Sequence, residues 1–151
     1  MDKCSAMVNR AIAILRFLPL AVDHLLYSKR SYLMIIDCHG HYTTTPPQIE
    51  AYRNKQRAIL AKDQNHIFAK GHVTISDDEI RDSIVNNQLK VQKDRGTDVT
   101  IFSPRASWMG QDLGNASTSA AWTGICNDLI RRVCDLFPRN FVPVCQLPQS
   151  P

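Results

Sequence analysis

Met34-Ile-Ile-Asp-Cys-His-Gly-His41 is the stretch on which the fold of this chain turns. The apolar residues Met34 to Ile36 form a short buried strand, Met34–Asp37, that leads directly into Asp37-x-His39-x-His41. Side chains alternate faces along an extended chain, so His39 and His41 point the same way. Two imidazoles converging where a buried strand ends make half of a metal site. Zinc and similar ions accept neutral imidazole nitrogens, and a catalytic centre adds further protein ligands while keeping one position open for water. An isolated His-x-His is more simply a polar exit from a core. The apolar lead-in, Asp37 and the Gly40 spacer favour the metal here. Cys38 falls on the opposite strand face, where packing is its expected role.

Outward from that strand, the chain alternates strand and helix. Cys38–Pro47 reads as a loop, marked by Gly40 and Pro46-Pro47. Gln48–Lys62 is rich in good helix formers. Asp63–Thr74 is polar and loop-like, and its His66 and His72 are expected on the solvated surface. Ser76-Asp-Asp-Glu79 forms a capping box, in which hydroxyl and carboxylate each satisfy the other residue's backbone amide. Asp77 and Asp78 suit the positive end of the helix that follows. Its residues Ile80, Ile84 and Val91 are expected on about one face, with Gly96 as the stop. A second buried strand, Asp98–Ser103, ends at Pro104. A long helix from about Ala116 to Phe137 carries Trp122, Ile125, Leu129, Val133 and Leu136 at steps of three and four, the mark of a face in the core. Arg131 and Arg132 complement its C-terminal end, and Pro138 closes it. Phe141–Leu147 is the third strand.

The order β-α-β-α-β, with crossovers long enough for helices, predicts a parallel sheet wound right-handedly. Ligands collect at the C-terminal ends of such strands. His39 and His41 follow the first strand, Arg105 the second, and Gln149 and Ser150 the third. Arg105 carries a planar fork that binds carboxylates in bidentate fashion, and its position beside the histidines makes it a candidate substrate anchor.

Size and composition set the remaining bounds. The 151 residues suffice for one domain with a real core, at 44% hydrophobic and 21% charged residues. The formal charge of +4 is spread along the chain, with no basic stripe interleaved with aromatics, which argues against a nucleic-acid partner. Five cysteines form no Cys-x-x-Cys pair, which suits a reducing, cytoplasmic setting rather than a disulfide framework. Residues 1–33 differ from the rest. Ala11–Val22 is apolar but broken by Arg16 and Pro19, too short for a membrane span, and it lacks a signal-peptide pattern. A weak amphipathic helix or an extension outside the domain is expected there, with the domain itself covering 34–151.

Several segments carry a family resemblance in order and at matching separations. They are Ile35-Ile-Asp-Cys-His-Gly-His-Tyr42, Ile75-Ser-Asp-Asp-Glu79, Thr100-Ile-Phe-Ser-Pro-Arg-Ala-Ser107, Cys126-Asn-Asp-Leu129 and Leu147-Pro-Gln-Ser-Pro151. Together they resemble the 4-oxalomesaconate hydratases of the metal-dependent amidohydrolase superfamily, in the branch that also holds aminocarboxymuconate-semialdehyde decarboxylase. The resemblance runs from Met34 to Pro151. It implies the first three βα units of an eight-stranded β/α barrel with a divalent metal, usually Zn2+, to which His39 and His41 contribute the first two ligands. The implied activity is a hydro-lyase adding water to a carbon–carbon double bond of a small tricarboxylate from aromatic-acid breakdown, with no membrane partner. A homo-oligomer is conceivable for a full-length protein. A β/α barrel takes about 250 residues or more, so the later ligands and acid/base groups lie outside this sequence, and the segment by itself is expected to be inactive. Rival readings are a decarboxylase or hydrolase of the same superfamily, or a barrel fragment without catalysis. The Ser103-Pro-Arg-Ala-Ser107 motif favours the hydratase.

Overall fold

The structure is a computed structural model that describes residues 33–105 and 113–149. Residues 34–149 of these fall in one compact unit, Met34–Pro151. The helix or extension expected over 1–33 lies outside the described residues, apart from Leu33.

Seven elements follow one another: β1 (Ile36–His41), α1 (Pro47–Leu60), α2 (Asp77–Val85), α3 (Gln88–Asp94), β2 (Val99–Ser103), α4 (Ala116–Leu136) and β3 (Phe141–Pro143). The strands form a three-stranded sheet in the order β1-β2-β3, with both pairings parallel. Parallel neighbours cannot be joined by a tight turn, so helices occupy each connection, as the sequence pattern requires.

β1 differs from its expected form. It runs on through the histidines to His41 instead of stopping at Asp37. Asp37 pairs with Thr100, and the next registered pair is Gly40 with Phe102. Three steps along β1 are therefore matched by two along β2, and one additional residue is accommodated as a bulge. Bulges bend a strand locally and re-aim its side chains. The glycine at the far side of this bulge is sterically required, because a Cβ on Gly40 would stand 2.2 Å from Thr100 Cγ2 and 3.1 Å from the Ile101 carbonyl oxygen. β1 is also less buried than expected, with Ile35 and Ile36 about half exposed.

The helices begin and end where local chemistry directs. Pro47 opens α1, where a missing N–H costs nothing. The Ser76–Glu79 capping box closes as expected, with Glu79 N donating to Ser76 Oγ at 3.2 Å and Ser76 N donating to Glu79 Oε2 at 2.8 Å. The Ser76 amide, with Gln48 and the Ser76 hydroxyl, holds the Glu79 carboxyl below its usual range. The single helix face expected from Ile80 to Val91 is broken in two. Asn87 leaves the helical region at φ −127°, ψ −83°, so α3 restarts with a new orientation. Ile80 and Ile84 remain fully buried, Val91 is 45% exposed, and Leu89 and Gln92 turn inward instead. α3 then ends in a Schellman motif at Gly96, φ +67°, with Gly96 N bonded to Lys93 O and Thr97 N to Gln92 O.

α4 matches its stripe. Trp122, Ile125, Leu129 and Val133 are buried, and Leu136 packs at the margin. Asn115 caps it by accepting from the Ser117 and Thr118 amides. Arg131 and Arg132 do not serve its C-terminus. Arg131 pairs with Asp128 and Asp135, while Arg132 bonds the Ile75 carbonyl and Asp77. β3 stops at Pro143 rather than Leu147, because β2 itself ends at Ser103; the last bond of the ladder is donated by Val144 N to Phe102 O at 2.9 Å.

The core lies between the helices and one sheet face. Thr100 and Phe102 of β2 are buried there, and Phe102 packs against Tyr42 and Phe141 at ring distances of 5.6 and 4.7 Å. Val99, Ile101 and Ser103 alternate to the other face and are only partly buried. Ile101 lies in register with Val142, which is 49% exposed. That second face is apolar and open among the described residues.

Candidate metal centre

His39 and His41 meet as the sequence predicts, although both belong to β1. Their Nε2 atoms stand 3.2 Å apart, with the rings edge to face at 4.7 Å between centroids. The backbone around them is tied down at both ends. His39 N donates to Asp37 Oδ1 at 3.0 Å, and Tyr42 N donates to Ser103 O at 3.0 Å. Asp37 therefore acts here as a turn-forming acceptor within the bulge.

The other side of the His41 ring is equally defined. Nδ1 lies 3.0 Å from the Pro104 carbonyl oxygen and 2.8 Å from Ser103 Oγ. A carbonyl can only accept, so Nδ1 carries the proton and the Nε2 lone pair faces His39. Metal-bound histidines characteristically hold their second nitrogen in this way.

The donor chemistry fits a divalent metal. Two nitrogens bound about 2.0–2.1 Å from one tetrahedral zinc ion stand roughly 3.3 Å apart, and the pair already has that separation. No group of three or more His, Cys, Asp or Glu side chains placed to hold a metal occurs among the described residues. The pair by itself offers two nitrogens, half of the positions around a tetrahedral ion.

Arg105 follows the buried Pro104 whose carbonyl binds His41, so its backbone starts beside the imidazoles, and its side chain is exposed. Ser150 lies outside the described residues. Gln149 is exposed, and its backbone N–H donates to Ser119 Oγ on α4 at 3.0 Å. Cys38 is exposed rather than packed. Burial pushes the Cys126 thiol up to about 12 and the Cys134 thiol to about 11, so neither supplies a thiolate at neutral pH. His72 is exposed as expected, whereas His66 is partly buried against Phe68 and Asp63.

Two features escape inspection of the sequence. Ser103 reaches the His41 ring across 62 positions. Asn127 clamps the segment after β3, donating to Gln146 O at 2.9 Å and accepting from Gln146 N at 2.8 Å. This second contact ties the Cys126–Leu129 motif to the residue that immediately precedes Leu147.

No protein-family model matches the chain. A 2-keto-4-carboxy-3-hexenedioate hydratase from a Sphingobium species is 51% identical over 119 residues, covering 79% of this chain and 34% of that protein. The crystal structure of 4-oxalomesaconate hydratase from Rhodopseudomonas palustris superimposes with a TM-score of 0.68 at 49% identity, over 78% of this chain and 34% of that one. This chain is related to the 4-oxalomesaconate hydratases. It spans about a third of the length of the hydratases it matches. The parallel α/β sheet with its intervening helices is the part of the hydratase fold it shares.

Proposed function

We propose that this chain supplies the first three βα units and the first two metal ligands of a hydratase with a (β/α)8 barrel fold, acting on 4-oxalomesaconate or a close tricarboxylate. The observation that carries the reading is the His39–His41 pair, whose Nε2 atoms converge at 3.2 Å with the His41 Nδ1 proton anchored behind them. Half of all matched positions being identical to two hydratases supports the same conclusion. A divalent ion, usually zinc, would supply a lowered pKa for bound water and polarisation of the substrate. His39 and His41 would hold it together with ligands from the rest of a complete barrel. Arg105 would bind one substrate carboxylate through its guanidinium fork. The partner is then a small polycarboxylate, with neither nucleic acid nor membrane involved, and the setting is cytoplasmic. Among the described residues no helix is long and apolar enough to cross a membrane.

The test is a complete barrel in which this segment replaces the matching third of a 4-oxalomesaconate hydratase. Loss of the substrate's carbon–carbon double bond, followed by NMR with and without added zinc, reads the activity. A folded, zinc-loaded barrel that leaves the substrate unchanged would rule the hydratase reading out. In the same barrel Arg105→Met should lower kcat/KM by a factor corresponding to about 2–5 kcal/mol, the scale for removing one partner of a desolvated charge pair. Unchanged kcat/KM would remove Arg105 from the substrate site.

A further inference from the structure

We infer that Ser103 is a positioning residue for the metal centre, selecting the tautomer of His41 and fastening the bulged end of β1 to β2. The inference rests on the metal reading above and adds a residue to it. Ser103 Oγ lies 3.0 Å from the Gly40 carbonyl oxygen and 2.8 Å from His41 Nδ1. A hydroxyl has one proton, and the Gly40 carbonyl has none. Ser103 therefore donates to Gly40 and must accept from His41. Its acceptance, shared with the Pro104 carbonyl at 3.0 Å, places the imidazole proton on Nδ1. The Nε2 lone pair is then the only one His41 can offer, and it points at His39 Nε2.

The location of this hydroxyl explains why it is needed. Gly40 and His41 lie just past the bulge, where the β1–β2 register has slipped by a residue. Regular ladder bonds before the bulge do not fix the ring angle after it. Ser103 sits opposite His41 in the register, and its backbone oxygen also accepts from Tyr42 N at 3.0 Å. One residue of β2 thus holds three consecutive residues, Gly40 and His41 at the end of β1 and Tyr42 just after it, and Ser103 reaches the imidazole itself through its side chain.

The experiment is chelator competition for zinc on the complete barrel carrying this segment, comparing the parent, Ser103→Ala, Ser103→Thr and the double variant His39→Ala/His41→Ala. Ser103→Ala should weaken zinc binding by about tenfold, near the low end for loss of an outer-sphere partner because the Pro104 carbonyl remains. Ser103→Thr keeps the hydroxyl and should stay within about threefold of the parent by the same scale. In the metal-free protein, 15N shifts of His41 should report an Nδ1–H tautomer in the parent and a smaller share of it in Ser103→Ala, where the Pro104 carbonyl is the one acceptor left. Parent-like affinity and tautomer in a folded Ser103→Ala protein would overturn the assignment of Ser103. Undiminished zinc in the double histidine variant would instead overturn the metal reading beneath it. A Ser103→Thr protein as weak as Ser103→Ala would show that side-chain volume, not the hydroxyl, is what matters there, and would equally overturn the inference.

Discussion

Expressed alone, the 151-residue chain should be aggregated or molten, without a cooperative melt and without hydratase turnover. β1 and β3 are the edges of the sheet, so each offers unpaired backbone N–H and C=O groups to any neighbouring strand among the described residues. The apolar surface is concentrated at those same edges. Met34, Ile35 and Ile36 are 65%, 51% and 53% exposed beside β1, and Val142, Val144 and Leu147 are 49%, 42% and 67% exposed at β3 and beyond. α4 covers only the opposite sheet face. At about 25 cal/mol per Å², several hundred exposed Å² forfeits roughly several kcal/mol, which is of the order of a whole domain's stability. Zinc offers little rescue, since two imidazoles are half of a tetrahedral ligand set. Size-exclusion chromatography with a thermal melt followed by near-UV circular dichroism decides the matter. A monomer with a sharp melt and measurable turnover would overturn the barrel reading.

Replacing both His39 and His41 by alanine in a complete barrel should abolish stoichiometric zinc and all activity. Loss of an outer-sphere partner alone costs about 10–100-fold in metal affinity, and removal of two ligands leaves the ion without its anchor on β1. The fold should survive, because neither imidazole belongs to the core around Trp122, Phe102 and Ile84. Metal analysis after dialysis, with circular dichroism as the control for folding, separates the two effects. Full zinc occupancy in the double variant would move the metal site away from these residues.

Much of this fold is legible without coordinates because its signals are local. The capping box needs only Ser76 and Glu79, three residues apart. The α4 face needs only the spacing of Trp122, Ile125, Leu129 and Val133, and all four are buried. The β-α-β-α-β order leads to the expectation of a parallel sheet, since parallel strands must be joined by crossovers of that length, and both pairings are parallel. The convergence of His39 and His41 likewise follows from the two-residue repeat of an extended chain. None of these depends on a distant residue.

The features that local pattern leaves open all depend on distant partners. β1 extends through both histidines because β2 is there to pair with Gly40 and His41, and the bulge exists because Thr100 and Phe102 set the register. The break at Asn87 shifts Val91 outward and Leu89 inward, a change that uninterrupted helical periodicity conceals. β3 is short because its partner strand has already ended. Ser103 serves His41, and Asn127 holds Gln146, only once sheet register and helix docking have brought residues 62 and 19 positions apart into hydrogen-bond range. Sequence periodicity therefore determined which α4 residues turn toward the core and which two imidazoles pair. Tertiary packing decided where the strands stop, how the His41 ring is held and which apolar face stays open, because each of these is set by a hydrogen bond or a contact area to which a remote segment contributes half.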